Sequence, residues 1–449
     1  MRRTLVLSCY LAGFTLGGAI AGRLYAQSWE FRRLELASNC TAVDAVDSST
    51  VFFYGVEKAS GRPAVFRTTD GGIRWDVFPW DDWAIYDLSA TDSVHVWAVN
   101  IWRVYHSSDG GRTWQIQFDA SADTSITDFL NYVEMFDPLH GVVVGDAPAR
   151  APLPVLLTAD GGKTWQQRNQ SHFVGAHLRD LWRGVDFLSP MVGYIGYGYF
   201  GVPLDTLYMH RTVDGGASWE PLPLAVGDFT LVRFFDETLG LAAWKGDRPV
   251  YMTKDGGLTW VAHQPSLGDR WFADLEFLPE DPSIVLAALS PTDWRNPDDI
   301  LAVSSDTGKT WNVLRTPSIG HPQDLEMVDS VHGYAVGDRG VLCISRVGSG
   351  VMNPRTGAVP PAEFFLRPNR PNPFAEVTNI TVDLTRPQPV TVEVFDVQGR
   401  RVATIVKGEL LETGTHTFYF VANKLPSGVY LCVGKAGSTQ VTRRMVLLR

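Results

Sequence analysis

Six copies of one eight-residue turn, the distance between them, and two chain ends that each hold part of a missing unit predict an all-β protein. The predicted architecture is a seven-bladed β-propeller followed by a small β-sandwich. The copies read TTDGGIRW from Thr68 to Trp75, SSDGGRTW from Ser107 to Trp114, and TADGGKTW from Thr158 to Trp165. TVDGGASW runs from Thr212 to Trp219, TKDGGLTW from Thr253 to Trp260, and SSDTGKTW from Ser304 to Trp311. Their aspartates, Asp70, Asp109, Asp160, Asp214, Asp255 and Asp306, lie 39, 51, 54, 41 and 51 residues apart. A period of roughly 40–50 residues is that of a propeller blade of four short strands.

Each copy suits a tight hairpin connection. The aspartate can accept backbone N–H groups from the residues that follow it. Glycine takes the positive φ of a closed turn. The tryptophan (Trp75, Trp114, Trp165, Trp219, Trp260 or Trp311) is expected to fold its ring back over the hairpin and bury it. Apolar runs precede the copies, as in Val155-Leu156-Leu157 and Val250-Tyr251-Met252, so each turn sits between two strands.

The ends of this region complete each other. Ser28-Trp29-Glu30-Phe31-Arg32-Arg33-Leu34 looks like the strand that follows a turn, yet no turn precedes it. His332–Gly337 and Gly340–Ser345 look like strands that lead into a turn, yet none follows. The N-terminal strand is therefore expected to form the outer strand of the last blade, closing the ring and leaving no open sheet edge. Six whole blades and one shared blade make seven, over residues 27–353.

The repeated turn resembles the Asp-box, or bacterial neuraminidase repeat, of the sialidase-like propellers. That resemblance implies a structural turn on the rim, away from the ligand face. The alternative, calcium ligation, sits poorly with one carboxylate per turn, because calcium takes six to eight oxygens. No metal and no cofactor are expected.

Residues 1–26 carry three arginines and no acid. Leu5 to Ile20 is apolar and Leu24-Tyr25-Ala26 is a small-residue cleavage pattern, so residues 1–26 read as a secretory signal peptide cut after Ala26. No later run is long enough for a membrane span. Between residues 27 and 360 there are 25 Lys/Arg against 42 Asp/Glu. Such a surface should repel nucleic acid and other polyanions. Cys40, Cys343 and Cys432 remain after the leader, an odd number with no CxxC motif. Cys40 and Cys343 fall at one seam of a closed ring; buried free thiols are expected, a staple between them being the alternative.

Pro354 to Pro361 (PRTGAVPP) reads as a linker. Residues 362–449 then alternate as strands over Thr378 to Leu384 and Val390 to Phe395, with a turn at Asp396-Val397-Gln398-Gly399-Arg400. An antiparallel, immunoglobulin-like sandwich of about seven strands is expected. The PNPF start at Pro371–Phe374, the VFDVQGRRV segment, LPSGVY at Leu425–Tyr430 and the basic-then-apolar tail resemble the type A C-terminal sorting domain of the type IX secretion system. Arg443-Arg444 stands where such tails often carry lysine. The resemblance implies a type IX translocon and sortase as partners, and delivery through the periplasm and outer membrane to the surface or the medium.

No Ser-His-Asp spacing, phosphate loop or metal cluster stands out. A sialidase needs an arginine cluster, and Arg62, Arg179, Arg183, Arg248 and Arg270 come with no Arg-Ile-Pro signature ahead of the first turn. The repeat resembles that of xyloglucanase-type glycosidases more closely, but those place the sugar cleft between two propellers. Asp81/Asp82 and Asp298/Asp299 are the acid pairs such chemistry would draw on. The pattern is most similar to non-enzymatic propellers such as photosystem II assembly factors and sortilin-like ectodomains, which implies a binding or scaffold role for a protein or glycan. No catalytic residue is expected on this reading; an extracellular glycoside hydrolase, xyloglucanase-like or sialidase-like, is the alternative. The candidate ligand face is the end opposite the repeated turns, carrying Trp80, Trp83, Trp182, Tyr197, Tyr199, Trp271 and Trp294. Blade-to-blade packing is the competing role for these rings.

Overall fold

Among the described residues of this computed structural model, seven four-stranded antiparallel sheets are built from Ser28 to Val347, and two further sheets lie in the tail. The structure describes residues 28–123, 125–146, 153–168, 184–197, 208–223, 231–243, 249–268, 270–279, 281–291 and 300–347. In the tail it describes 364–447 except 367–368, 370–373, 375, 385, 397–399, 423–424 and 438. The signal-peptide and linker expectations lie outside the described residues.

The first sheet, Ala37–Ala45, Val51–Glu57, Pro63–Thr68 and Asp76–Pro79, sets the pattern. Each of the first six is a plain meander from an innermost to an outermost strand. Burial follows that order. Val51–Glu57 in the first sheet and Gly141–Asp146 in the third are buried along most or all of their length, whereas outer strands such as Gln115–Asp119 are largely exposed. Valine-rich runs thus fill the sheet-to-sheet interior, and polar outer strands face water.

The seventh sheet is composite. Pro322–Met327, His332–Gly337 and Gly340–Val347 are joined by Ser28–Leu34 as the outermost strand, with Phe31 opposite Ile344 and Leu34 opposite Val341. Trp29 lies opposite Arg346, whose guanidinium stacks 5.7 Å from its ring. The ring expected from the two incomplete ends is therefore closed. Cys40 and Cys343 are free thiols; burial pushes that of Cys40 up to about 12.

A belt of side chains runs around the centre. A polar residue of each innermost strand reaches the next blade. Asp44 accepts the Ala90 N–H, Asp87 that of Val133 at 2.9 Å, and Tyr132 that of Phe187 at 3.2 Å. Asp186 accepts the Phe234 N–H. Arg233 donates to the Leu275 carbonyl and to Asp274, both at 2.9 Å. Asp274 accepts the Leu325 N–H at 3.1 Å, and Asp324 returns to the first blade by accepting that of Val43 at 2.8 Å. The circle closes in hydrogen bonds as well as in strands.

The belt has far more acid than base. Arg233 faces Asp186 at 3.8 Å, Asp274 at 2.9 Å and Glu276 at 3.4 Å. Burial pushes the Glu276 carboxyl up to about 8 from an ordinary value of 4.5; Arg233 opposes the rise, while Asp274, Asp186 and Asp324 add to it. Glu326 is raised in the same way, by burial and then by Glu276, Asp44, Asp324 and Glu134. A carboxyl raised on folding binds its proton more tightly in the folded chain. Its contribution is therefore full below the unfolded value and is lost as pH rises through the folded one. The melting temperature of the propeller is expected to fall between pH 4.5 and 8. Glu276→Gln should flatten that slope, measured by thermal melts across the window; an unchanged slope would contradict it.

The tail is a seven-stranded sandwich. Phe364–Leu366, Val377–Leu384 and Gly414–Val421 form one sheet; Arg401–Leu411, Gln388–Asp396, Gly428–Ala436 and Thr439–Leu447 form the other. Phe364, Val382, Val392, Val394 and Met445 are among its core residues. The short motifs noted in this region act as pins. Phe374 is buried 5.9 Å from the Phe420 ring. Asp396 holds the Arg400 N–H and Nε at 2.9 and 2.7 Å, and the Tyr430 hydroxyl donates to the Pro426 carbonyl at 2.8 Å.

Candidate ligand face

The two ends of the ring differ in chemistry. At one end the repeated turns sit beside the turns joining first and second strands. Gly71 N–H bonds Ser49 O at 3.0 Å, and the pairs Gly110–Val94, Gly161–Leu139, Gly215–Met191, Gly256–Thr238 and Thr307–Ser283 repeat the contact at 2.8–2.9 Å.

Within each repeated turn the aspartate is consumed locally. In the copy from Ser107 to Trp114, Asp109 Oδ1 accepts the Ser107 hydroxyl and the Arg112 and Thr113 N–H groups, and Oδ2 accepts the Thr113 hydroxyl at 2.7 Å. Burial opposes the charge, but these bonds hold the Asp109 carboxyl down at about 2. Asp70, Asp160, Asp214, Asp255 and Asp306 are lowered as well. Such carboxylates act on their own backbone. The two residues after the aspartate take positive φ; in the last copy the first of them is Thr307, at 61°. The second packs on the preceding blade, as where a Cβ on Gly257 would meet Leu222 at 2.5 Å.

The six tryptophans are not equally buried. Trp219 and Trp311 are 3% and 7% exposed, whereas Trp75, Trp114, Trp165 and Trp260 are half-buried. Most close a seam with the neighbouring blade: Trp75 lies 6.5 Å from Tyr334 of the seventh sheet, and Trp114 lies 5.4 Å from Trp80 at the end of the first.

The opposite end carries the other loops. Trp80 does not face outward. It is 5% exposed and edge-on to Tyr105 at 4.8 Å and to Trp114, so its ring packs between the first and second blades. Its Nε1 donates to the Trp83 carbonyl at 2.7 Å, which fixes the loop and turns Trp83 out to 58% exposure. Trp102, from the turn between second and third strands of the second blade, stands 6.1 Å from Trp83 at 78°. Tyr86 and Phe129 pair 4.4 Å apart, and the Leu130 N–H bonds the Ile101 carbonyl at 2.8 Å, so the second and third blades meet here. Trp271 is half-buried near the start of the sixth blade's first strand. Tyr197 ends a strand of the fourth blade opposite Tyr208. The Tyr197 side chain, Trp182, Tyr199 and Trp294 lie outside the described residues, as do Arg179, Arg183, Arg248 and Asp298/Asp299.

The pair Asp81/Asp82 is divided by its surroundings. Asp81 is exposed. Asp82 accepts the Tyr105 hydroxyl, the Trp83 N–H at 2.7 Å and Arg103 Nη1 at 2.7 Å, and Arg103 Nε is held by Asp119 at 2.8 Å. Burial works against ionisation of Asp82, but these bonds outweigh it and hold its carboxyl below the usual range. A general acid for glycoside cleavage must keep its proton near neutrality, and Asp82 is driven the other way.

Trp102 and the central belt were not singled out above. Trp102 had a signal: an aromatic in an Asn-Ile-Trp-Arg break between two strand runs. The belt recurs once per blade at Asp44, Asp87, Tyr132, Asp186, Arg233, Asp274 and Asp324.

The fold and its two unlike ends define a class: a seven-bladed β-propeller followed by a sandwich tail. Within it, residues 370–448 match the secretion system C-terminal sorting domain, and the chain is thus a propeller carrying a sorting tail for export. A xyloglucanase from Paenibacillus sp is 24% identical over 311 residues, 56% of this chain and 30% of that protein. The chain thus spans less than a third of that curated relative. Among solved structures, YCF48 from Cyanidioschyzon merolae superposes with a TM-score of 0.54 at 17% identity, over 71% of this chain and 98% of that one. YCF48 bound to a D1 peptide gives 0.53 at 18%, over 71% and 96%. The GH74 enzyme of Niastella koreensis gives 0.50 at 12%, over 92% and 73%.

Proposed function

We propose that the protein is an exported, non-enzymatic binding propeller of the Asp-box type that recognises a protein or glycan on the end opposite its repeated turns. The observation that carries this reading is the pinned, outward-facing Trp83 beside Trp102, next to a carboxylate, Asp82, that is unfit to donate a proton. Aromatic anchors on a rigid frame are what recognition surfaces use. The propeller fold alone does not choose between binding and catalysis. It is shared with a propeller that holds a peptide and with glycoside hydrolases.

A glycoside hydrolase is the second reading, favoured by the xyloglucanase relative. The full chain, incubated with xyloglucan, mixed-linkage glucan and mannan, is expected to release no reducing ends. Reproducible cleavage, abolished by substitution of one loop carboxylate, would overturn the binding reading.

We assign residues 362–449 the role of a type IX export signal, read by the translocon and its sortase. Removing them is expected to leave a folded propeller trapped in the periplasm, visible by fractionation and immunoblot. Unaltered surface delivery of the shortened protein would count against this role.

A further inference from the structure

The loops around Trp83 and Trp102 have a charge as well as a shape. Three of them converge here: residues 80–86 between the first and second blades, 100–103 within the second, and 119–128 between the second and third. They carry Asp81, Asp82, Asp119, Asp123 and Asp128 against one base, Arg103. That base is spent, since Asp82 and Asp119 both hold it at under 3 Å. Asp81 and Asp123 are exposed and make no ion pair among the described residues. Asp123 instead accepts the Ser125 N–H at 3.1 Å, which fixes it at the loop tip.

We infer that this platform binds a polypeptide segment bearing arginine or lysine, one of whose cationic heads seats on Trp83 and Trp102 between Asp81 and Asp123. The inference rests on the binding reading above and names the partner for the same face.

The physical grounds are three. An indole face attracts a cation through its quadrupole, Trp most strongly, and the attraction grows as the pair loses water. The two rings stand nearly perpendicular at 78°, so they form a corner that encloses a compact head group. A sugar ring stacks best on a single open face. The unbalanced carboxylates add steering and favour partners of positive charge. An anionic glycan would meet like charge at two of the three loops. The platform is also pre-organised, because the Trp80 indole and the Asp82 carboxylate hold the Trp83 backbone from both sides.

The test uses the full chain and a fluorescein-labelled peptide of four Gly-Arg-Ser repeats, with citrulline in place of arginine as the uncharged control. A xyloglucan oligosaccharide serves as the glycan probe. The arginine peptide is expected to bind and the citrulline peptide not to. Trp83→Ala and Trp102→Ala should each weaken binding by about tenfold or more. Asp81→Asn/Asp123→Asn should weaken it by about three- to tenfold and reduce its salt dependence. Glu220→Gln, an exposed acid on an outer strand of the fourth sheet, should leave affinity unchanged and so exclude a merely global charge effect. Trp83 is exposed, so its alanine variant should melt with the wild type.

Arginine-peptide binding that is indifferent to both tryptophans overturns the inference. Oligosaccharide binding lost in Trp83→Ala, with no arginine preference, also overturns it but leaves the binding reading standing. If no probe responds to any substitution on this end, both fall together.

Discussion

Replacing Trp311 with alanine is expected to lower the stability of the propeller by about 3–5 kcal/mol, the usual cost of emptying a buried indole site. Trp311 is 7% exposed. Its ring meets Phe272 edge-on at 5.1 Å and belongs to a cluster containing Leu241 and Met252 of the fifth sheet, so the cavity would open at a blade seam. The indole N–H also bonds the Gly308 carbonyl at 2.9 Å, and its loss frees the turn that it braces. Trp165→Ala should cost clearly less, because that ring is half-buried and its N–H has no hydrogen-bond partner among the described residues. All fifteen tryptophans lie between residues 29 and 311, so indole fluorescence during denaturation reports the propeller without the tail. Equal losses for the two variants would mean that burial is not what distinguishes the copies.

Arg233→Met is expected to be comparably damaging, again by about 3–5 kcal/mol, for an electrostatic reason. Asp274 has no solvent exposure and Asp186 has 9%, and Arg233 is the cation that faces both. Removing it strands their charges and deletes two links of the belt to the sixth blade. Burying a charge without its partner costs more than the pair was worth, so Arg233→Met/Asp274→Asn should recover part of the loss. The double variant, followed by the same fluorescence, separates charge from packing: if it is no more stable than Arg233→Met, the damage comes from lost contacts.

The fold was readable wherever local chemistry repeats. A turn that needs a hydroxyl, a carboxylate and two positive φ angles within five residues leaves a fixed spelling, so six of the seven blades announced themselves. The seventh was legible as an omission, through the orphan strand at Ser28–Leu34. The belt was not legible in that way. Its members share a position and a task but not a side chain: five aspartates, Tyr132 and Arg233 all bridge to the next blade, from strands of differing composition. The candidate ligand face was legible only in part. Trp80 and Trp83 are three residues apart with alike surroundings in sequence. Which of them turns inward is decided by Tyr105 and Trp114, over 20 residues away, and only the fold brings those rings together. Trp102 was overlooked because one aromatic in a short turn has no period to betray it.

The composite seventh sheet has a consequence for the order of events during export. The first strand of the propeller, Ser28–Leu34, pairs with residues more than 300 positions later. Until Gly340–Val347 has emerged, Ser28–Leu34 has no neighbour, and the annulus stays a curved ribbon with two raw margins. Contacts of such separation form slowly and late. Sealing therefore waits for nearly the whole propeller to emerge. The first strand of the propeller thus completes the sheet that its last three begin.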